Sequence, residues 1–130
     1  SKISPVEYKK TYIDALSAYQ NGDYNKAISG FSGLVLSDPE NELADNSQYW
    51  LAECYYTMKN YKRAVMEFEK VFSFSGTDKD DDAQLKLGHC HRSMGNIKKS
   101  IEEYQRLIDY FPGSEFYEKA RESLKQLSSK

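Results

Sequence analysis

Apolar and small residues recur along this chain at helical spacing and are interrupted by short polar or glycine-bearing breaks. Tyr8, Tyr12, Ala15, Leu16 and Tyr19 share the face of a first helix. Ser4, Pro5 and Glu7 supply its N-cap, a proline at the first helical position and a capping-box acid. Asn21-Gly22-Asp23 stops it and caps the next. The same reading predicts helices over Tyr24 to about Leu36, Asn41 to about Met58, Tyr61 to about Phe74, Asp81 to Met94 and Ile97 to Tyr110. Ser114 is expected to cap a last helix through about Leu127, with Phe116, Ala120, Leu124 and Leu127 on its apolar face.

The pattern repeats. Ala15, Gly22, Tyr24, Ala27, Phe31 and Pro39 correspond to Ala52, Lys59, Tyr61, Ala64, Phe68 and Gly76, and again to Gly88, Gly95, Ile97, Ser100, Tyr104 and Pro112. The offset is 37 residues from Tyr24 to Tyr61 and 36 from Tyr61 to Ile97. A period of that size, with one helix-turn-helix per copy, predicts an all-α fold: a right-handed solenoid of three helix pairs plus a capping helix. The repeats fall at about 5–39, 41–76 and 80–112, the cap at about 114–128, in one domain over 4–128. The 37-residue offset suggests that the third helix is about a turn longer than a common repeat requires. Within each pair, small residues such as Ala15 and Ala27 should face one another and let the helices approach closely, so that a large residue there overpacks the contact. Trp50, on the third helix, is expected to pack against the preceding pair. The first helix has no preceding repeat, which should leave Tyr8, Ile13 and Leu16 partly exposed.

Composition narrows the function. The chain has 130 residues, 18 basic and 20 acidic, for a net charge of −2. No basic stripe suggests nucleic acid, and no apolar run approaches the roughly 18 residues of a membrane span. The repeat pattern starts almost at Ser1, as expected of an excised or mature domain, so no targeting segment informs the compartment. Cys54 and Cys90 occupy equivalent places and read as buried packing atoms, although a disulfide between neighbouring helices is conceivable. The aspartates after Gly76 lack the ligand alternation of a calcium loop and better complement the dipole of the fifth helix. His89-Cys90-His91 cannot hold one ion, because residues two apart on a helix point to different faces. No nucleophile-base pair, phosphate loop or metal set suggests an enzyme, and no cofactor is expected.

The recurring small, aromatic and proline positions resemble the tetratricopeptide repeat over residues 8 to 113. Asn41 to Val71, Asp82 to Asn96 and Leu107 to Leu124 resemble, more narrowly, the C-terminal repeat domain of the YbgF family of Tol-Pal-associated division coordinators. That resemblance implies a periplasmic scaffold that binds a Tol-system protein such as TolA and links peptidoglycan synthesis to outer-membrane constriction. Family members oligomerise through a coiled coil that precedes the repeats. Lys59, Gly76 and Ser100 depart from the family's turn glycine, proline and alanine. Outer-membrane assembly lipoproteins use similar repeats and are the alternative, as is a self-assembly module.

Successive first helices line the concave side of such an array. The expected partner-binding residues are Lys9, Tyr12, Leu16 and Tyr19, then Asn46, Tyr49, Glu53 and Tyr56, then Asp82, Leu85, His89 and Arg92. A tyrosine-rich groove with scattered charge suits a bound peptide or helix. The carboxylate clamp of chaperone-binding repeats is not expected, since Tyr12 and Leu16 stand where it needs a basic residue and an asparagine.

Overall fold

The computed structural model describes residues 3–76 and 78–129, which form helices joined by turns with no strand among them. Its helices are α1 (Pro5–Gln20), α2 (Tyr24–Ser37), α3 (Ala44–Thr57), α4 (Tyr61–Val71), α5 (Asp80–Ser93), α6 (Ile97–Tyr110) and α7 (Tyr117–Ser128). Each packs on its neighbours in chain order, and α1 also touches α3, which builds a stack of helix pairs.

Three structural features recur in the pairs. The first is the turn between helices. Asn21-Gly22-Asp23, Met58-Lys59-Asn60 and Met94-Gly95-Asn96 close with equivalent bonds, such as Asp23 N–H to Ala18 O, Asn60 N–H to Tyr55 O and Asn96 N–H to His91 O at 2.8 to 2.9 Å. The middle residue is left-handed in every copy, with φ of 80° at Gly22 and Gly95 and 64° at Lys59. Lys59 therefore adopts the glycine conformation despite its Cβ.

The second is close contact through small residues. Ala15 with Ala27 and Ala52 with Ala64 are buried in successive core clusters beside Phe31 and Phe68. In the third pair the departure from alanine has a reason: Ser100 Oγ donates to the carbonyl of Gly88 at 2.8 Å. Gly88 is required there, because a Cβ would lie 2.4 Å from the ring of Tyr104, which replaces the phenylalanine of the other copies. The third is a knob on each later first helix: Leu51 sits in the core of the first pair, Leu87 in that of the second and Leu124 against that of the third. The equivalent residue on α1 is Asp14, ion-paired with Lys10 at 3.0 Å.

Buried polar contacts stitch two of the pairs. Gln48 Nε2 donates to the carbonyl of Glu67 at 2.8 Å and to its carboxylate at 2.9 Å, and Gln84 makes the same bonds to Glu103 at 2.8 and 3.5 Å. Arg63 holds Glu67 at 2.8 Å, and Arg106 holds Glu103 at 3.0 Å. Burial raises the pKa of Glu67, but donation from Gln48 and Arg63 and the charge of Lys70 outweigh it and leave the carboxyl below its ordinary value.

Several boundaries differ from expectation. The third helix starts at Ala44, not Asn41, because the Asn41 side chain accepts from Leu43 N–H at 2.9 Å and forms a turn. It has 14 residues, as α5 does, so the longer offset lies in the passage from α2 to α3 rather than in the helix. Ser114 repeats the device: its Oγ accepts from Phe116 N–H at 2.9 Å, and α7 begins only at Tyr117. The fourth helix ends at Val71, three residues early, and Phe74 lies in the connector. There Gly76 replaces proline because a Cβ would fall 2.4 Å from the carboxylate of Asp45. Thr77, in the same connector, lies outside the described residues. Tyr8 is 1% exposed rather than partly open, and its hydroxyl donates to Asp38 O at 3.4 Å. The cap matches expectation, with Phe116, Ala120, Leu124 and Leu127 against the third pair. Cys54 and Cys90 are free and buried, and burial pushes each thiol up to about 12.

Two predictions follow from these local geometries. Replacing Lys59 with glycine removes the left-handed strain and should raise the unfolding free energy by about 0.5 to 1 kcal/mol in urea titration. Asp80 opens α5 with a buried, unpartnered Oδ1. Its burial, then the charges of Asp45 and Asp81, raise its pKa to about 6. The fold thus favours the protonated form, a contribution present below the unfolded value and lost as pH rises through about 6. Asp80→Asn should raise the melting temperature at pH 8 and leave it nearly unchanged at pH 4.

Candidate functional site

The residues expected to bind a partner all lie on the first helices of the three pairs, α1, α3 and α5. Their accessibility differs. Tyr12, Leu16 and Tyr19 are half-buried on α1, Asn46, Glu53 and Tyr56 on α3, and Asp82, His89 and Arg92 on α5, while Lys9 is exposed. Tyr49 and Leu85, at 3% exposure each, are buried. This corrects their expected role: Tyr49 packs against Phe68 in the second core and Leu85 lies in the third, so they form the floor of the face and present little surface.

Aromatic rings dominate the first half. Trp50 meets the preceding pair as expected, edge-on to Tyr19 with centroids 5.2 Å apart, and it also meets Tyr49 at 5.5 Å. Tyr19 touches Tyr24 at 5.6 Å, and its hydroxyl bonds Thr57 Oγ1 at 2.8 Å. Tyr12 packs edge-on to Phe31 at 5.8 Å. Tyr56 leans on Tyr61 at 5.7 Å and on Phe68 at 6.4 Å. Tyr12, Tyr19 and Tyr56 are each held by a second-helix aromatic, which restricts their motion, whereas Trp50 is held by first-helix rings.

A charged centre separates the second and third repeats. Lys86 Nζ donates to both carboxylate oxygens of Glu53 and to Tyr49 Oη, all at 3.0 Å, and lies 3.6 Å from Asp82. It also stands 5.5 Å from the ring centroid of Tyr49 and 5.4 Å from that of Tyr56. Lys86 and Glu53 are only 16% and 14% exposed, so this ion pair is largely removed from water. Burial, with Glu53 and Asp82 nearby, drives the Tyr49 phenol far above its ordinary value, and burial raises that of Tyr56 to about 12.

Sequence reasoning missed Lys86. It follows Trp50 by the 36-residue period, so the signal was present: both residues face back toward the preceding first helix. Farther along, His89 Nδ1 meets Tyr104 Oη at 2.5 Å, and Arg92 donates Nη2 to Gln126 Oε1 on α7 at 3.0 Å. Burial first, then Lys86, Lys119 and Arg92, lower the His89 pKa to about 4. His91 faces away, among Glu69, Lys99 and Glu102, so the histidines diverge as the helix geometry requires. Among the described residues no group of three or more His, Cys, Asp or Glu side chains is placed to hold a metal ion.

Fold and site together define a tetratricopeptide-type α-solenoid with an aromatic face on its first helices. Residues 5–130 match the YfiO family of outer membrane lipoproteins, and the chain belongs to that family. No curated protein sequence matches. Among solved structures, PcrH of Pseudomonas aeruginosa, in complex with the chaperone binding region of PopD, is similar with a TM-score of 0.83. It is 14% identical over 98% of this chain and 95% of that one. The type III secretion translocator chaperone SycD of Yersinia enterocolitica superposes with a TM-score of 0.79 and 22% identity, over 98% and 96%. The first repeat domain of human RPAP3 does so at 0.76 and 16%, over 97% and 93%. At these identities the likeness is one of fold.

The Glu53–Lys86 pair gives a direct test of the site's electrostatics. Glu53→Gln removes the main counter-charge of a poorly solvated ammonium and should cost about 1 to 3 kcal/mol of stability. Adding Lys86→Met should recover part of that loss, as measured by urea denaturation of both variants.

Proposed function

We propose that this chain is a non-enzymatic protein-interaction scaffold of the cell envelope that holds a peptide or helix of a partner protein along its first-helix face. The observation that carries the reading is the set of half-buried first-helix rings, Tyr12, Tyr19, Trp50 and Tyr56, each braced by neighbouring aromatics. Rigid aromatic edges supply contact area with little rotamer entropy left to lose on binding. The hydroxyls and charges between them suit the setting of register.

Membership of an outer membrane lipoprotein family supports a periplasmic location, and no described helix is long and apolar enough to cross a membrane. It also favours a place in an outer-membrane assembly complex. A Tol-linked role, with a protein such as TolA as partner, is the second reading and draws on the YbgF-like runs at 41–71, 82–96 and 107–124. Related folds have been captured with segments of other proteins, PcrH with part of PopD and the first repeat domain of RPAP3 with an HSP90 peptide.

Photo-crosslinking tests the face directly. A photoreactive residue at Lys9 or Leu16 should capture one defined envelope protein in cells, while the same group at Lys62 or Met66 on the second-helix side should not. Equal capture from both sides, or capture only from the second-helix side, would exclude the groove as the binding surface.

A further inference from the structure

In the second pair a guanidinium fills the space beside the buried glutamate. Arg63 lies over the ring of Tyr55, with Cζ 4.9 Å from the centroid, and its Nε donates to Glu67 Oε2 at 2.8 Å. Gln48 and Lys70 approach the other oxygen, Oε1, at 2.9 and 3.5 Å. Both oxygens of the buried carboxylate thus have a close donor, as burial demands.

The third pair repeats this frame 36 residues later without the guanidinium: His91 stands for Tyr55, Lys99 for Arg63, Glu103 for Glu67 and Arg106 for Lys70. Those four side chains, with Glu69 of α4 and Glu102 of α6, line a polar pocket of about 170 Å³. Arg106 holds Glu103 Oε1 at 3.0 Å, but Oε2 has only the 3.5 Å bond from Gln84. Lys99 is exposed and, among the described residues, is ion-paired with no carboxylate, as Glu69 and Glu102 are with no cation. His91 is 8% exposed, and its Nδ1 is buried without a hydrogen-bond partner. The two glutamates differ accordingly. Glu67 lies below its ordinary pKa, whereas at Glu103 burial outweighs Arg106 and Gln84 and leaves the carboxyl above it.

We propose that this pocket is a seat for a guanidinium group supplied from outside the chain, bound by Glu103, Glu102 and Glu69 against the His91 ring. The second pair provides the template, a planar cation that satisfies a buried carboxylate oxygen while lying on a ring. Burial first, then Lys99, lower the His91 pKa, and a neutral imidazole offers an N–H donor an acceptor nitrogen. An ammonium fits less well, because it is compact, strongly hydrated and has no planar face. Free small molecules and arginine side chains of proteins present the same group. The seat shares no residue with the proposed first-helix groove and stands independently of it.

Ring NMR of the intact chain tests the seat, with His89, the other histidine, as internal control. N-acetyl-arginine amide should shift the His91 resonances, leave those of His89 in place, and bind about tenfold more tightly than N-acetyl-lysine amide. Free L-arginine separates the sources: tighter binding than the capped form favours a small molecule, and equal or weaker binding favours a protein side chain, either one supporting the seat. Glu69→Gln with Glu102→Gln should weaken the capped arginine probe about tenfold. Lys99→Arg should fill the seat from within, as Arg63 does, and abolish probe binding while circular dichroism stays that of wild type. Should that variant fold poorly, the double glutamine variant carries the test. An unmoved His91, an equal response to the lysine probe, or undiminished binding in folded Lys99→Arg would overturn the seat.

Discussion

The structure depends on how closely the two helices of each pair can approach. Ala15 against Ala27, Ala52 against Ala64 and Gly88 against Ser100 set that distance, and larger side chains at these sites would push the pair apart. The third pair shows how tightly the positions are coupled. A tyrosine at 104 in place of phenylalanine brings a ring against residue 88 that only glycine accommodates, and it extends a hydroxyl through the pair to His89. A single exchange in the core thereby fixes the His89 side chain on α5. His89 stays neutral because it is buried there among cations.

Polar groups placed inside the stack add specificity to this apolar packing. Gln48 with Glu67 and Gln84 with Glu103 hold the second and third pairs by the same hydrogen bonds one period apart. A buried carboxylate is costly unless its oxygens are satisfied, so these bonds select one register over neighbouring ones. The first pair has Thr11 and Gly30 at the corresponding positions, and its outward face carries the Lys10–Asp14 ion pair where later helices carry leucine knobs. The stack is thus polar where no pair covers it and apolar where one does.

On the first helices, residues proposed to meet a partner also pack the fold. Tyr12, Tyr19 and Tyr56 lean on second-helix rings and still present an edge, whereas Tyr49 has been drawn fully into the core. Lys86 ties α5 back to α3 through Glu53, so the middle of the groove is an interhelical brace as well as a surface. Variants of these residues report on stability and binding together. Lys9, which is exposed, separates the two.

Spacing along the chain determined the helix pairs, their turns and the small-residue contacts, because these follow from a 3.6-residue period and from which side chains permit close approach or a left-handed backbone. It also put the candidate residues at equivalent positions of the three first helices. Spacing could not rank their exposure: Tyr49 and Tyr12 occupy equivalent positions, and only the neighbours contributed by the next repeat bury one and leave the other half open. Helix starts at Ala44 and Tyr117 were hidden for a similar reason. Asn41 and Ser114 are good caps, but each bonds two residues on to form a turn. The partnership of Lys86 with Glu53 and the bond of Arg92 to Gln126 join α3 to α5 and α5 to α7. Contacts between helices distant in the chain depend on side-chain reach across the stack, which the tertiary structure alone decides.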